Sequence, residues 1–136
     1  MSKKLLLLLI LNSSLIALKA QTNLVQNPSF EIYDTCPKLQ DEISYAVGWN
    51  HFDGTPDYFN ACCPFTTSSF CVPYNWGGYQ QAASGVAYSA FGAYSLNYHS
   101  NTIREFSGGI LSAPLSIGTK YFVSFKVSLS ISNQIG

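Results

Sequence analysis

The chain has 136 residues, 47% hydrophobic and 10% charged, enough for one domain with a single modest core and no more. Formal charge balances at zero overall. Beyond residue 20, however, four basic groups (Lys38, Arg104, Lys120, Lys126) face seven acidic ones (Glu31, Asp34, Asp41, Glu42, Asp53, Asp57, Glu105), a net of −3, which excludes the basic face a nucleic-acid partner requires.

Residues 1–20 read as a cleavable secretory signal. Lys3 and Lys4 form a positive start, an unbroken apolar run follows over 5–11, and Leu15, Ile16, Ala17 and Leu18 resume it after Asn12-Ser13-Ser14. A span of the bilayer needs about 20 continuous apolar residues, and this run is interrupted and shorter, so a signal is the better reading. Cleavage after Ala20 leaves Gln21 at the new N-terminus and a mature domain of 21–136, with no transmembrane span expected in it. No cysteine sits at the cleavage point to take a lipid. The expected location is outside the cytosol: secreted, at the cell surface or periplasmic.

Along the mature chain, short strands are expected at 23–26, at 46–52 carrying Trp49, at 78–82 and 86–91 flanking the turn Ala83-Ser84-Gly85, and at 103–106 and 109–112. One short helical turn fits within 38–45. The segment 53–76 holds three of the four cysteines and three prolines with little alternation, and reads as a disulfide-stapled excursion. The strongest signal is 121–131: Tyr121, Val123, Phe125, Val127, Leu129 and Ile131 alternate with mostly polar residues, the pattern of a half-buried strand. The expected class is all-β, a β-sandwich or jelly roll. The chain stops directly after its strongest strand, so the domain is expected to be incomplete at its C-terminus and followed by a further domain.

Cys36, Cys62, Cys63 and Cys71 all lie in the mature part. An even count in an exported domain favours disulfides, and the spacing lacks the paired C-x-x-C arrangement of a zinc site. Of three possible pairings, direct Cys62–Cys63 bonding is strained, which leaves two.

Several segments resemble, in order, the N-terminal domain of a family of exported Bacteroidota surface proteins. They are Asn23-Leu24-Val25-Gln26-Asn27-Pro28-Ser29-Phe30-Glu31, Cys36-Pro37, Ala46-Val47-Gly48-Trp49, and the stretch from Gly54-Thr55-Pro56-Asp57 through Tyr58-Phe59-Asn60-Ala61-Cys62. Val72-Pro73-Tyr74-Asn75-Trp76-Gly77-Gly78-Tyr79-Gln80, Ser84-Gly85-Val86-Ala87-Tyr88, Arg104-Glu105-Phe106, Leu111-Ser112-Ala113-Pro114-Leu115 and Tyr121-Phe122-Val123-Ser124-Phe125 continue it. The resemblance implies a galactose-binding-like jelly roll, similar to carbohydrate-binding modules. It also implies the pairing Cys36–Cys62, which leaves Cys63–Cys71, and Glu31 as the first candidate ligand of a structural calcium.

Twenty aromatic residues make ring stacking on sugars the leading candidate chemistry, since a pyranose presents an apolar C–H face. Tyr74, Asn75, Trp76, Tyr79 and Gln80, with Gln81 beside them, combine rings and amides and are the candidate contact to a glycan or another cell-envelope polymer. The same rings also serve to pack the loop. Trp49 is read as core. Tyr94 and Tyr98, near Asn97 and His99, form a second candidate patch. Carboxylates suit calcium, but Asp53 and Asp57 are read as turn residues. His51 and Asp53 share a strand face, and Arg104 and Glu105 point to opposite faces. No nucleophile elbow, H-E-x-x-H or phosphate loop is present, so no enzyme is expected. The expected function is a non-catalytic binding module; the alternative is a structural or adhesive spacer. A hydrolase would need clustered carboxylates or a His–Asp pair in a cleft.

Overall fold

The computed structural model describes residues 22–64, 69–96 and 102–130; residues 1–20 and, of the second candidate patch, Asn97, Tyr98 and His99 lie outside them. The described residues are all-β, with one 3-10 turn at Ile43–Tyr45 and eight short strands: β1 (Asn50–Asp53), β2 (Asp57–Asn60), β3 (Tyr74–Asn75), β4 (Gly78–Tyr79), β5 (Ala87–Ala90), β6 (Ser95–Leu96), β7 (Thr102–Ile103) and β8 (Phe106–Gly108). They pair as four two-stranded antiparallel ladders, β1–β8, β2–β5, β3–β4 and β6–β7. Three long-range pairings are nested. Val25 bridges Leu111, β1 pairs with β8 inside that, and β2 pairs with β5 inside both. Within the last lies the β3–β4 hairpin, turning at Trp76 and Gly77. Among the described residues no helix is long and apolar enough to cross a membrane.

Strand β2 organises the core. All four of its residues are buried, because its alternating side chains enter two separate apolar clusters. Tyr58 packs with Ile43, Ala46 and Ala87, with Phe30, Tyr45 and Trp49 against them. Phe59 packs with Phe70 and Val72 and stacks on Tyr88, its cross-strand partner, at 5.2 Å between centroids. Asn60 shares the Tyr58 side and donates to the Tyr58 hydroxyl (2.7 Å), which donates to Phe30 O (2.7 Å).

Two segments that carry the family resemblance meet in the first cluster. Asn27, buried and with φ +46°, donates through Nδ2 to the carbonyls of Ile32 and Val47 and accepts from Ile32 N. Trp49 stacks on Phe30 at 4.4 Å and donates its indole N–H to Asn27 O. Trp49 is therefore a packing residue, half-buried at the edge of the core. The two disulfides join Cys36 to Cys62 and Cys63 to Cys71, with Cα separations of 5.9 and 5.4 Å. Such bonds persist outside the reducing cytosol, and they hold the adjacent Cys62 and Cys63 to two different segments.

Three expectations need correction. First, 53–76 is not only a loop: it contains β2, the most buried strand of the described residues, where Tyr58 and Phe59 supply β-propensity and core volume. Second, the strands that flank 83–85 are shorter than 78–82 and 86–91: β4 covers only Gly78–Tyr79 and pairs with β3, and β5 covers Ala87–Ala90 and pairs back to β2. Third, 121–130 is not a half-buried strand. No ladder among the described residues reaches it, and Phe122, Val123, Phe125, Val127 and Leu129 are 77–90% exposed. Alternation specifies a strand only where another strand's N–H and C=O groups and an apolar surface meet it. The segment, exposed on both sides, instead meets the β3–β4 hairpin and the residue after it through two serines, with Ser128 Oγ on Gln80 Oε1 (2.8 Å) and Ser130 Oγ on Gly77 O (2.7 Å).

Candidate functional site

The odd face of β2 builds the site. Asp57 and Phe59 point to the same side, as period two requires, and together they seat Trp76. The indole N–H donates to Asp57 Oδ2 (3.1 Å), and the ring lies at 6.3 Å from Phe59, tilted by 42°. The hairpin turn delivers this ring: Trp76 N donates to Ser69 O and Gly77 N to Asn75 Oδ1. Trp76 keeps 51% of its surface exposed. Its polar atom is consumed inside, and an apolar ring face remains outside.

That face borders a shallow, open groove of about 490 Å³ lined by Leu39, Gln40, Ser69, Phe70 and Trp76. The opposite wall is the tight loop 38–42. Glu42 Oε2 accepts the N–H groups of Lys38 (2.6 Å) and Leu39 (2.8 Å), and Asp41 turns the chain with φ +62°. Asp41 N donates to Asp57 Oδ1 (3.0 Å), and Asp41 Oδ1 pairs with His51 Nδ1 at 2.6 Å. Asp57 therefore holds both walls, one through each carboxylate oxygen. It is only 5% exposed. Burial pushes its carboxyl above the ordinary range, and the charges of Glu105 and Asp41 push the same way against its two hydrogen bonds.

The five residues expected from sequence divide between two environments. Tyr74 and Tyr79 face each other across the β3–β4 ladder, edge to face at 4.8 Å, 64% and 48% exposed. Trp76 contacts the core instead. Asn75 Nδ2 donates to Cys71 O and to the Tyr88 hydroxyl. Gln80 Nε2 donates to Gln81 O, and its Oε1 accepts from Ser128. Gln81 Nε2 donates to the Tyr79 hydroxyl. The amides thus bind within the chain.

The remaining candidates take local roles. Glu31 Oε1 accepts from Val86 N (2.9 Å) and Ala87 N (3.2 Å), against Gly85 at φ +66°, where a Cβ would overlap the carboxylate. Among the described residues no three His, Cys, Asp or Glu side chains converge as a metal site would require. His51 pairs with Asp41 rather than Asp53, whose Oδ1 accepts from Gly54 N. Asp57 is a strand residue, not a turn residue. Arg104 lies over the Tyr94 ring at 5.7 Å, while Glu105 accepts from Thr55 and Gly92. Leu39, Gln40 and Asp57 were not foreseen as site residues. The signal for Asp57 is the alternation of Asp57-Tyr58-Phe59-Asn60; nothing local in sequence points to Leu39 or Gln40. No protein-family profile, curated protein or solved structure matches the chain.

Proposed function

We propose that this chain is an exported, non-catalytic β-sandwich module of jelly-roll type that binds a glycan or another cell-envelope polymer through Trp76. One observation carries the reading: the Trp76 ring is held from behind by Asp57 and Phe59, while half of its surface stays exposed beside an open groove. A ring with its N–H already satisfied and its orientation set presents an apolar face at little entropic cost on binding. The nested antiparallel pairing supports the jelly-roll type, and the two disulfides, with the N-terminal signal pattern, support export.

A glycan array followed by calorimetry on the secreted full chain tests this. Affinity in the micromolar-to-millimolar range is expected, with Trp76→Ala abolishing measurable binding and Trp76→Phe retaining part of it. Equal binding by parent and a folded Trp76→Ala variant would sink the reading.

The second reading is a spacer domain. It is favoured by the engagement of Asn75, Gln80 and Gln81 within the chain. An array with no hit would leave this reading in place.

A further inference from the structure

Resting on the glycan reading above, we infer that the groove between Trp76 and the 38–42 loop accepts one uncharged pyranose ring, and that Asp57 is the positioning residue that sets the distance between its walls. Trp76 offers the stacking face. Leu39, 67% exposed, closes the opposite wall with an apolar side chain, and Gln40 supplies an exposed amide on the same loop. A ring with apolar C–H faces and hydroxyl edges matches that combination.

The charge around the groove decides the class of sugar. Asp41, Glu42 and Asp57 lie on or behind it, and Glu105 is close enough to raise the Asp57 carboxyl. Lys38 begins the loop, and His51 is engaged by Asp41. A uronate or phosphorylated polymer would approach a negative field; a neutral hexose polymer would not.

Asp57 acts through other residues, not on the sugar. One oxygen takes the Asp41 N–H and the other the Trp76 N–H. Asparagine at this position has one acceptor oxygen for two donors, and its NH2 then faces an N–H. A protonated Asp57 is in nearly the same position, so acid and Asp57→Asn loosen the same two walls. The titratable neighbours are Asp41, with His51 behind it, and Glu105.

The test uses the 15N-labelled full chain, whose two tryptophans give two indole N–H resonances, separated by assignment with Trp76→Phe. The probes are cellohexaose, mannohexaose and N-acetylchitohexaose, with hexaguluronate as the acidic counterpart at equal ionic strength. At least one neutral probe is expected to shift the Trp76 resonance and leave that of Trp49 in place, binding at least tenfold tighter than hexaguluronate. Leu39→Ala, a surface change, is expected to weaken it several-fold, and Asp57→Asn about tenfold. Wild-type affinity is expected to fall more steeply than that of Asp57→Asn as pH drops from 7 to about 4, the residual slope of the variant reporting Asp41 and Glu42 of the same loop and His51 paired with Asp41. Should Asp57→Asn fail to fold, the wild-type pH profile and Leu39→Ala carry the test. Neutral glycan binding that leaves the Trp76 resonance unmoved overturns the site, in this inference and in the proposed function alike, and keeps only a glycan-binding role elsewhere on the chain. Equal hexaguluronate binding overturns the class. An unchanged affinity in Asp57→Asn, or in wild type across the pH range, overturns the positioning role. No binding by any glycan overturns the reading itself.

Discussion

The Tyr58 hydroxyl is pinned between Phe30 O and the Asn60 side chain. Burial raises its pKa to about 12, so it remains a neutral donor at any physiological pH. Tyr58→Phe deletes the acceptor of the Asn60 amide and the donor to Phe30 O. Leaving such groups unpaired in a buried site costs about 1–3 kcal/mol, and urea denaturation should read a loss of that size. Burial shifts the Asp57 carboxyl in the same direction, against the lowering usual for a hydrogen-bonded carboxylate. Because its folded pKa is raised, the folded state takes up that proton before the unfolded chain does, whose carboxyl titrates near about 3.9. Its contribution to stability is full below that value and is lost as pH rises through the folded pKa. Denaturation of wild type and Asp57→Asn at several pH values should therefore show the difference moving in favour of wild type as pH falls from 7 toward 4. Glu31 Oε1 already accepts two backbone N–H groups, so chelation with EDTA is expected to leave the thermal midpoint unchanged; a fall would support the calcium expectation. At this scale the sequence marked the cysteines well, since an even number of thiols in an exported domain has few possible roles. The loop partners of Trp76 were hidden, because Asp41 and Asp57 meet across 16 positions that no local period connects.

Among the elements, the tie from Cys36 to Cys62 closes 26 residues and that from Cys63 to Cys71 closes eight. Loop-closure entropy assigns about 3.5 kcal/mol to the first and about 2.5 kcal/mol to the second. Replacing Cys36 and Cys62 by serine should thus destabilise more than replacing Cys63 and Cys71, as read by paired chemical denaturation curves. The strands 46–52 and 86–91 were legible because Trp49, Val86 and Tyr88 stand among turn residues; β1 and β5 occupy parts of those windows. Strand β2 was missed because prolines and cysteines flank it, and those residues signal loops at both ends of a segment only four residues long. Segment 121–130 was over-read for the converse reason. Its alternation is clear, but pairing is a property of two strands, and one sequence window contains only one of them.

For the molecule as a whole, the outward apolar stripe of 121–130 is a departure from a well-covered surface among the described residues. Val123, Phe125, Val127 and Leu129 present contiguous alternate side chains to water, the arrangement that invites edge association. Light scattering of the full chain should rise with concentration, and a variant carrying threonine at these four positions should scatter as a smaller species; equal scattering would remove the stripe as its cause. All-β character was readable from short strands between Gly, Pro, Ser and Asn clusters. Which strands would pair was not, since every long-range ladder joins segments separated by tens of residues.

The nesting of those ladders has a kinetic consequence. Each outer pairing encloses the inner ones, so the loop that must close shrinks stepwise if the β3–β4 hairpin forms first, then β2–β5, then β1–β8, and the Val25–Leu111 bridge last. Opening should retrace that order. Native-state amide exchange should therefore release Ser112, whose N–H bonds Leu24 O at the outermost rung, well before the amides of β2, so that the chain unlatches from its two outer edges while the seat of Trp76 stays closed.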